Sequence, residues 1–323
     1  MPFILIRGRH VSYLDTLFIG RRKYFLLEQF GQDERESYKA FDPRSGPGGQ
    51  YFLVRRLPRD SSEQQLRVLA RLKVQSLPRV WEWQRNRDQI DVVLTWFDGI
   101  PLNVALQHIA DQRRPLMDPG HVVRLISGLV QDLSFLHRKL QIVHGDLQPA
   151  NLLISDNPSR LHLIDFGSAW TTDWGTRRSD GDGHHRSYAA PELQSTAGRP
   201  TPACDQFSAA VIAFQLLTQS IPWGGLGGKA GRPEFMTRVS STVLKPPSQL
   251  STECRRLPDS LRKALDDLIL TSLALEPARR ITNSLDWQNR WRDLWQMFRQ
   301  PPVVSPGAIW LTRVIDWFEH RAR

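Results

Sequence analysis

Two apolar runs with isolated polar groups inside them constrain this chain more than any other feature: Ile142-Val-His-Gly-Asp-Leu-Gln-Pro-Ala-Asn-Leu-Leu-Ile154 and Leu163-Ile-Asp-Phe-Gly167. Short apolar, β-branched runs bounded by turn residues read as buried strands. Asp146, Asn151 and Asp165 then stand on the turns between them. Each is ordinary in a turn, where Asp and Asn bond their own backbone. All three at the ends of adjacent core strands is a more demanding arrangement.

The rest of the chain divides around this centre. From Tyr24 to Leu57, β-prone runs (Tyr24-Phe-Leu-Leu27 and Tyr51-Phe-Leu-Val54) alternate with polar and glycine-rich turns such as Arg44-Ser-Gly-Pro-Gly-Gly49, which predicts a small antiparallel sheet. Leu66, Leu69, Ala70 and Leu72 recur at helical spacing over 61–73, and strand-like runs follow at 79–83 and 90–96. After Gly99 the pattern is mainly helical, with helices expected at 102–111, 119–139, 203–218, 258–274 and 284–299. The expectation is an α+β chain: an N-terminal extension (1–21), a sheet-rich small lobe with one helix (22–97), a helical large lobe (98–299), and a Pro-containing linker with an amphipathic tail (300–323).

The central runs resemble the catalytic loop His-x-Asp-x-x-x-x-Asn and the Asp-Phe-Gly motif of the eukaryotic-type protein kinases, serine/threonine kinases in particular. The resemblance implies ATP and Mg²⁺ as cofactors, with Asp146 as catalytic base, Asn151 as a metal ligand and Asp165 as the main metal ligand. Small-molecule phosphotransferases share a His-Gly-Asp form of this loop, so later segments separate the two. Tyr188-Ala-Ala-Pro-Glu-Leu193 resembles the end of a protein-kinase activation segment. Cys204-Asp-Gln-Phe-Ser208 resembles the start of the central large-lobe helix, where Asp205 would tie back to the catalytic loop near His144. Leu275-Glu-Pro-Ala-Arg-Arg-Ile-Thr282 resembles the late Pro-x-x-Arg element, whose Arg280 would pair with Glu192.

The small lobe departs from the family. Its phosphate loop reads Gly31-Gln-Asp-Glu-Arg-Glu-Ser-Tyr38, with Gly31 alone of the usual three glycines and with Asp33, Glu34 and Glu36 where triphosphate would sit. Arg55 takes the place of the strand lysine, with Arg56 as the alternative one residue on, and the exchange is not conservative at a phosphate site. Leu53 replaces the small alanine that touches adenine, so Gly31, Leu53 and Arg55 are the nucleotide-binding candidates. Gln65 stands where the lysine's glutamate partner belongs, and a hydrogen bond from Arg55 to Gln65 is the most that would remain of that ion pair. Lys39, on the face shared with Ser37, is the lysine that could stand in, but it points in two residues farther from the phosphates, so Arg55 is preferred. In the large lobe Gly145 replaces the arginine that reads an activation-loop phosphate, Gln148 replaces the lysine that neutralises the transferred phosphate, and His185 sits where a threonine meets base and substrate.

The expected activity is ATP-dependent phosphorylation of serine or threonine in protein, with ATP and a protein substrate or signalling partner as ligands. The alternative is a pseudokinase that acts as a binding or scaffolding module. The net charge of +10 is spread over short Arg pairs (Arg21-Arg22, Arg113-Arg114, Arg177-Arg178) and forms no block, so no nucleic-acid partner is expected. Two cysteines are too few for a disulfide framework, and Arg7 interrupts Phe3-Ile-Leu-Ile6 where a leader would be apolar, which points to a cytoplasmic setting. The apolar run Phe207–Leu217 falls short of the roughly 20 residues of a membrane span. Trp287, Trp291 and Trp295 recur every four residues as a packing stripe, and Trp310, Val314, Trp317 and Phe318 make a second stripe in the tail, expected to dock on a lobe.

Overall fold

The computed structural model describes residues 2–30, 36–58, 63–74, 76–156, 159–171, 187–194, 199–240 and 243–300. Gly31, Asp33, Glu34, His185 and the whole tail stripe lie outside the described residues.

The small lobe begins with a hairpin of β1 (Phe3–Ile6) and β2 (Arg9–Ser12), followed by β3 (Asp15–Ile19), β4 (Arg22–Phe30), β5 (Ser37–Asp42), β6 (Gln50–Pro58), helix α1 (Glu63–Arg71), β7 (Val80–Arg85) and β8 (Gln89–Thr95). β3 to β8 form one antiparallel sheet in the order β3-β4-β5-β6-β8-β7. β3 lies in the stretch expected as an N-terminal extension, yet it pairs with β4 from Asp15↔Leu26 to Ile19↔Arg22. Its place is explained by the curl of the sheet, which brings the β4 end round to β7. Arg22 Nε lies 3.0 Å from Glu82 Oε1, and Tyr24 OH donates to Glu82 Oε2 at 3.0 Å. Burial and then the Glu82 carboxylate push the Tyr24 phenol well above its ordinary value, so it stays a donor. Inside the curl pack Ile19, Tyr24, Leu26, Tyr38, Ala40, Phe52, Val54 and Val93. They are one set of alternate side chains, so the other set on β5, β6 and β8 faces out of the curl.

That outward face carries Ser37, Lys39, Leu53, Arg55, Val92 and Leu94, joined by the register Ser37↔Arg55↔Val92 and Lys39↔Leu53↔Leu94. The connection after β8 leads to β9 (Ile100–Pro101) and into the large lobe. There α2 (Leu102–Ala110), α3 (Pro119–Phe135), β10 (Ile142–Val143), β11 (Leu152–Asp156), β12 (Ser159–Leu163), β13 (Trp170–Thr171), α4 (Pro202–Thr218), α5 (Pro233–Ser240), α6 (Pro247–Leu250), α7 (Thr252–Arg255), α8 (Asp259–Ser272) and α9 (Ser284–Arg299) follow.

Local chemistry sets these boundaries. Asp118 caps α3 by accepting from His121 N at 3.0 Å, with Pro119 pre-set for the first turn. The helix expected to run to 139 ends as an α-helix at Phe135 and continues as a π-turn over Leu136–Leu140, stopped by Gln141 in the left-handed region at φ 54°. Gln219, at φ 57°, ends α4 in the same way. α4 is buried on nearly every side, from Cys204 to Phe214, which accounts for the apolar run there: the helix is the centre of a lobe. Among the described residues no helix is long and apolar enough to cross a membrane. α9 lies across α3, with Trp287 and Trp291 each 1% exposed and Leu294 beside them, while Trp295 is only partly buried. The two buried indole N–H groups find no partner among the described residues, so area and ring packing hold this stripe.

Candidate active site

β10 ends at Val143, and the chain turns sharply to reach Asp146. Gly145 makes that turn at φ +76°, where a Cβ would sit 3.1 Å from Ser168 O, so both the backbone angle and the space favour glycine. Asp205, at the start of α4, holds the same turn from below. Its Oδ2 accepts from His144 N at 2.8 Å and its Oδ1 from Gly145 N at 2.9 Å. His137, on the π-turn that closes α3, adds Nε2 at 2.8 Å from Asp205 Oδ2, while its Nδ1 lies 2.9 Å from Ser284 Oγ. Burial alone would raise the Asp205 carboxyl, but the His137 contact, its charge and the amide of Gly145 outweigh it and hold the group below its ordinary value. His137 was not singled out from sequence. A histidine seven positions before His144 carries no periodic signal, and its role appears only when α3, α4 and α9 are packed together.

The catalytic-loop polar groups then converge. Asn151 Nδ2 donates to Asp146 O at 2.8 Å and to Asp146 Oδ2 at 2.9 Å, and Gln148 Nε2 donates to both Asp146 carboxylate oxygens at 3.2 and 3.0 Å. Because the Asn151 nitrogen is spent on Asp146, the atom it offers to a cation is its carbonyl Oδ1. Ile164 N donates to Asn151 O at 3.1 Å, which ties the Asn151 turn to the strand end that carries Asp165. His144 packs edge-on against the ring of Phe166, with centroids 5.1 Å apart, and so joins the two motifs by an apolar contact.

Asp165 lies across the cleft from the outward face of the small-lobe sheet. Its Oδ1 accepts from Arg55 Nη1 at 2.9 Å, from Gln65 Nε2 at 3.3 Å and from Gly167 N at 3.1 Å. The expected Arg55 to Gln65 hydrogen bond is replaced by this shared acceptor: Arg55 and the Gln65 amide nitrogen both donate to the ionised carboxylate, a stronger acceptor for a guanidinium than the neutral Gln65 carbonyl. The register also decides between the two arginines. Arg55 faces the cleft, whereas Arg56 turns to the opposite face, where it meets Glu36 Oε2 at 2.8 Å and Asp91 Oδ1 at 3.4 Å. Glu36, expected to repel phosphate, is thus held by Tyr38 OH at 2.7 Å and by Arg56, and those two contacts lower its carboxyl. Lys39 does not substitute for Arg55: its ammonium sits 4.8 Å from the Tyr51 ring centre and 4.7 Å from that of Trp96, at the outer end of the cleft. Leu53, between Lys39 and Leu94, forms the apolar wall next to it.

Below the site, Arg280 and Glu192 form a two-pronged pair at 2.6 and 2.9 Å, with the Arg280 side chain fully buried and Glu192 18% exposed. Arg280 also donates to the carbonyls of Ala203 and Ala274 and lies over the Phe207 ring, so the pair joins the 187–194 segment, α4 and the turn before α9. Gly228 lets the 227–231 turn press on the same segment: its N donates to Ser187 O at 3.0 Å, and a Cβ there would fall 1.7 Å from Ala189 O.

Comparison with known proteins agrees with this geometry. The family model of the protein kinase domain matches residues 55–292. Among characterised relatives, ribosomal protein S6 kinase alpha-4 of Mus musculus is 26% identical over 82% of this chain and 34% of its own length. The serine/threonine-protein kinase RUNKEL of Arabidopsis thaliana is 28% identical over 72% of this chain and 15% of its own. The serine/threonine-protein kinase PknJ of Mycobacterium tuberculosis is 30% identical over 64% of this chain and 35% of its own. The chain thus spans about a third or less of the length of these relatives. A two-lobed α+β chain with this match belongs to the protein kinase domain family.

Proposed function

We propose that the protein transfers the γ-phosphoryl group of ATP to a serine or threonine hydroxyl of a protein substrate. The observation that carries this reading is the convergence of Asp146, Asn151 and Asp165 at one cleft, with Arg55 reaching Asp165 from the other lobe. Phosphoryl transfer depends on positioning and on charge neutralisation, and these side chains offer both.

The donor set suits Mg²⁺, a hard ion that takes one or two carboxylates plus phosphate oxygens. Asp165 would supply the carboxylate and Asn151 its Oδ1. Bound there, the ion would neutralise charge on the phosphates. Asp146, with its carboxylate oriented by Asn151 and Gln148, would accept the proton of the attacking hydroxyl. Gln148 brings an amide and no charge to a place next to the transferred group, so the stabilisation of the transition state falls more heavily on the metal and on Arg55. The base would lie against Leu53 and Leu94, with Lys39 and Trp96 at the cleft mouth.

Cys204 and Cys254 are free and buried, and burial raises both thiols, Cys254 to about 11, so neither is poised for oxidation. The reading is tested by thermal-shift titration with ATP and Mg²⁺, followed by transfer of labelled phosphate to a general protein substrate. Saturation at about 100 times Kd is expected to stabilise the chain by about 2.7 kcal/mol, and label is expected on serine or threonine. Absence of both would replace the enzyme by a binding module, and label that survives undiminished in Asp165→Ala would remove Asp165 as metal ligand.

A further inference from the structure

Arg55 and Gln65 of α1 share Asp165 Oδ1 as their acceptor. A guanidinium keeps its charge at every accessible pH and settles on a carboxylate within reach. Among the described side chains of α1, Gln65 reaches the same place; it is only 7% exposed and has no charge to hold Arg55. Gln65 adds its own donor to the same oxygen, Asp165 Oδ1. Among the described residues Asp165 is therefore the carboxylate with which Arg55 pairs, through one prong only, and Arg55 Nε is buried without a partner. The three side chains sum to zero formal charge. A divalent ion approaching Asp165 meets a carboxylate that already shares one oxygen with a fixed cation, and like charges at this range repel by several kcal/mol in a partly buried site.

We propose that Gln65 sets the cation affinity of the cleft. By leaving Arg55 without a carboxylate of its own, it commits the guanidinium to Asp165, where Arg55 competes with Mg²⁺. Gln65 is a positioning residue that acts through Arg55. The inference rests on the phosphotransfer reading above in taking Asp165 as the metal ligand.

The test uses the full chain and Mn²⁺ as the probe, titrated without nucleotide and followed by the paramagnetic signal of free Mn²⁺. Gln65→Glu gives Arg55 a carboxylate partner, turns a donor facing Asp165 into an acceptor, and takes the cluster from zero to one negative charge. It is expected to bind Mn²⁺ at least about tenfold more tightly than the parent. Arg55→Gln removes the competitor and is expected to gain similarly, which keeps the test decisive if Gln65→Glu folds poorly. Asp165→Asn, alone or combined with Gln65→Glu, is expected to lose Mn²⁺ binding. With ADP added, calorimetry is expected to show tighter Mn²⁺-ADP binding for Gln65→Glu and no such gain for Arg55→Gln, which lacks the phosphate-facing cation.

Equal Mn²⁺ affinity in the parent, Gln65→Glu and Arg55→Gln would overturn the inference, as would weaker binding in Gln65→Glu. If nucleotide binds all forms with the same metal dependence, the inference falls and the phosphotransfer reading stands. If ADP binds none of them while Mn²⁺ follows the expected order, the inference stands and the phosphotransfer reading falls.

Discussion

In the large lobe Asp205 is fully buried, and its two oxygens are met by two backbone amides and an imidazole, all within 2.9 Å. Across the cleft Arg55 is also largely buried, yet it rests on one oxygen of Asp165 and leaves its Nε unpaired. The first carboxylate is built into the packing of α3, α4 and the catalytic loop. The second contact depends on two side chains that lean across a gap between lobes. Polar groups satisfied by backbone cannot change without cost to the fold, because each loss strands a buried partner. Side chains that meet across the cleft, from the sheet face or from α1, can exchange lysine for arginine, or glutamate for glutamine, and find new partners. The small-lobe departures from the kinase pattern at Leu53, Arg55 and Gln65 lie on that open side or face it, and the large-lobe departures at Gly145 and Gln148 change side chains while the backbone bonds to Asp205 stay in place.

The sharpest way to break this contrast is at Arg280. Arg280→Ala strands Glu192 in a site closed on most sides and is expected to cost about 3 to 5 kcal/mol in urea unfolding; a loss below about 1 kcal/mol would mean that the large lobe is no more tightly built than the small one. A comparable effect, on rate and not on stability, is expected for Asp146→Asn. Turnover should fall by about 10² to 10⁴ with nucleotide affinity nearly unchanged, since Asp146 serves the reacting hydroxyl. Equal losses in both quantities, read by calorimetry beside single-turnover kinetics, would move Asp146 from the reaction to binding.

Asp205→Asn is expected to cost about 2 to 3 kcal/mol, and its signature is pH. The folded carboxyl lies below its ordinary value near 4, so its contribution is complete above that value and is lost as pH falls through the lower folded value. The gap in stability between the parent and Asp205→Asn should therefore be present at neutral pH and shrink below about 4; a gap that widens below that pH would contradict the assigned shift. The smallest effect belongs to the small-lobe surface. Glu36→Ala removes a pair in which Glu36 is 41% exposed, and a cost of about 0 to 1 kcal/mol is expected from thermal unfolding. A cost as large as that of Arg280→Ala would erase the distinction between the lobes.

Much of the architecture was legible before any coordinate. The helices expected at 102–111, 203–218, 258–274 and 284–299 correspond to α2, α4, α8 and α9 within about two residues, because apolar spacing at 3.6 residues is a property of the helix itself. The Trp287 and Trp291 stripe is legible for the same reason. Glu192 and Arg280, 88 positions apart, were paired through the resemblance to kinases; no local pattern links them.

Other features waited on tertiary structure. Which of Arg55 and Arg56 faces the cleft turns on a strand register that a slip of one residue inverts, and register is set by the neighbouring strands. The pairing of β3 with β4, and the approach of β4 to β7, depend on the curl of the whole sheet. Whether Arg55 meets Gln65 or Asp165 depends on how closely the lobes approach, and so does the part of His137 in joining three helices. Periodicity and motif spacing are local properties of a chain, and a sequence carries them directly. The partner of a charge across a cleft is decided by distances between segments a hundred residues apart, which exist only after the core has closed.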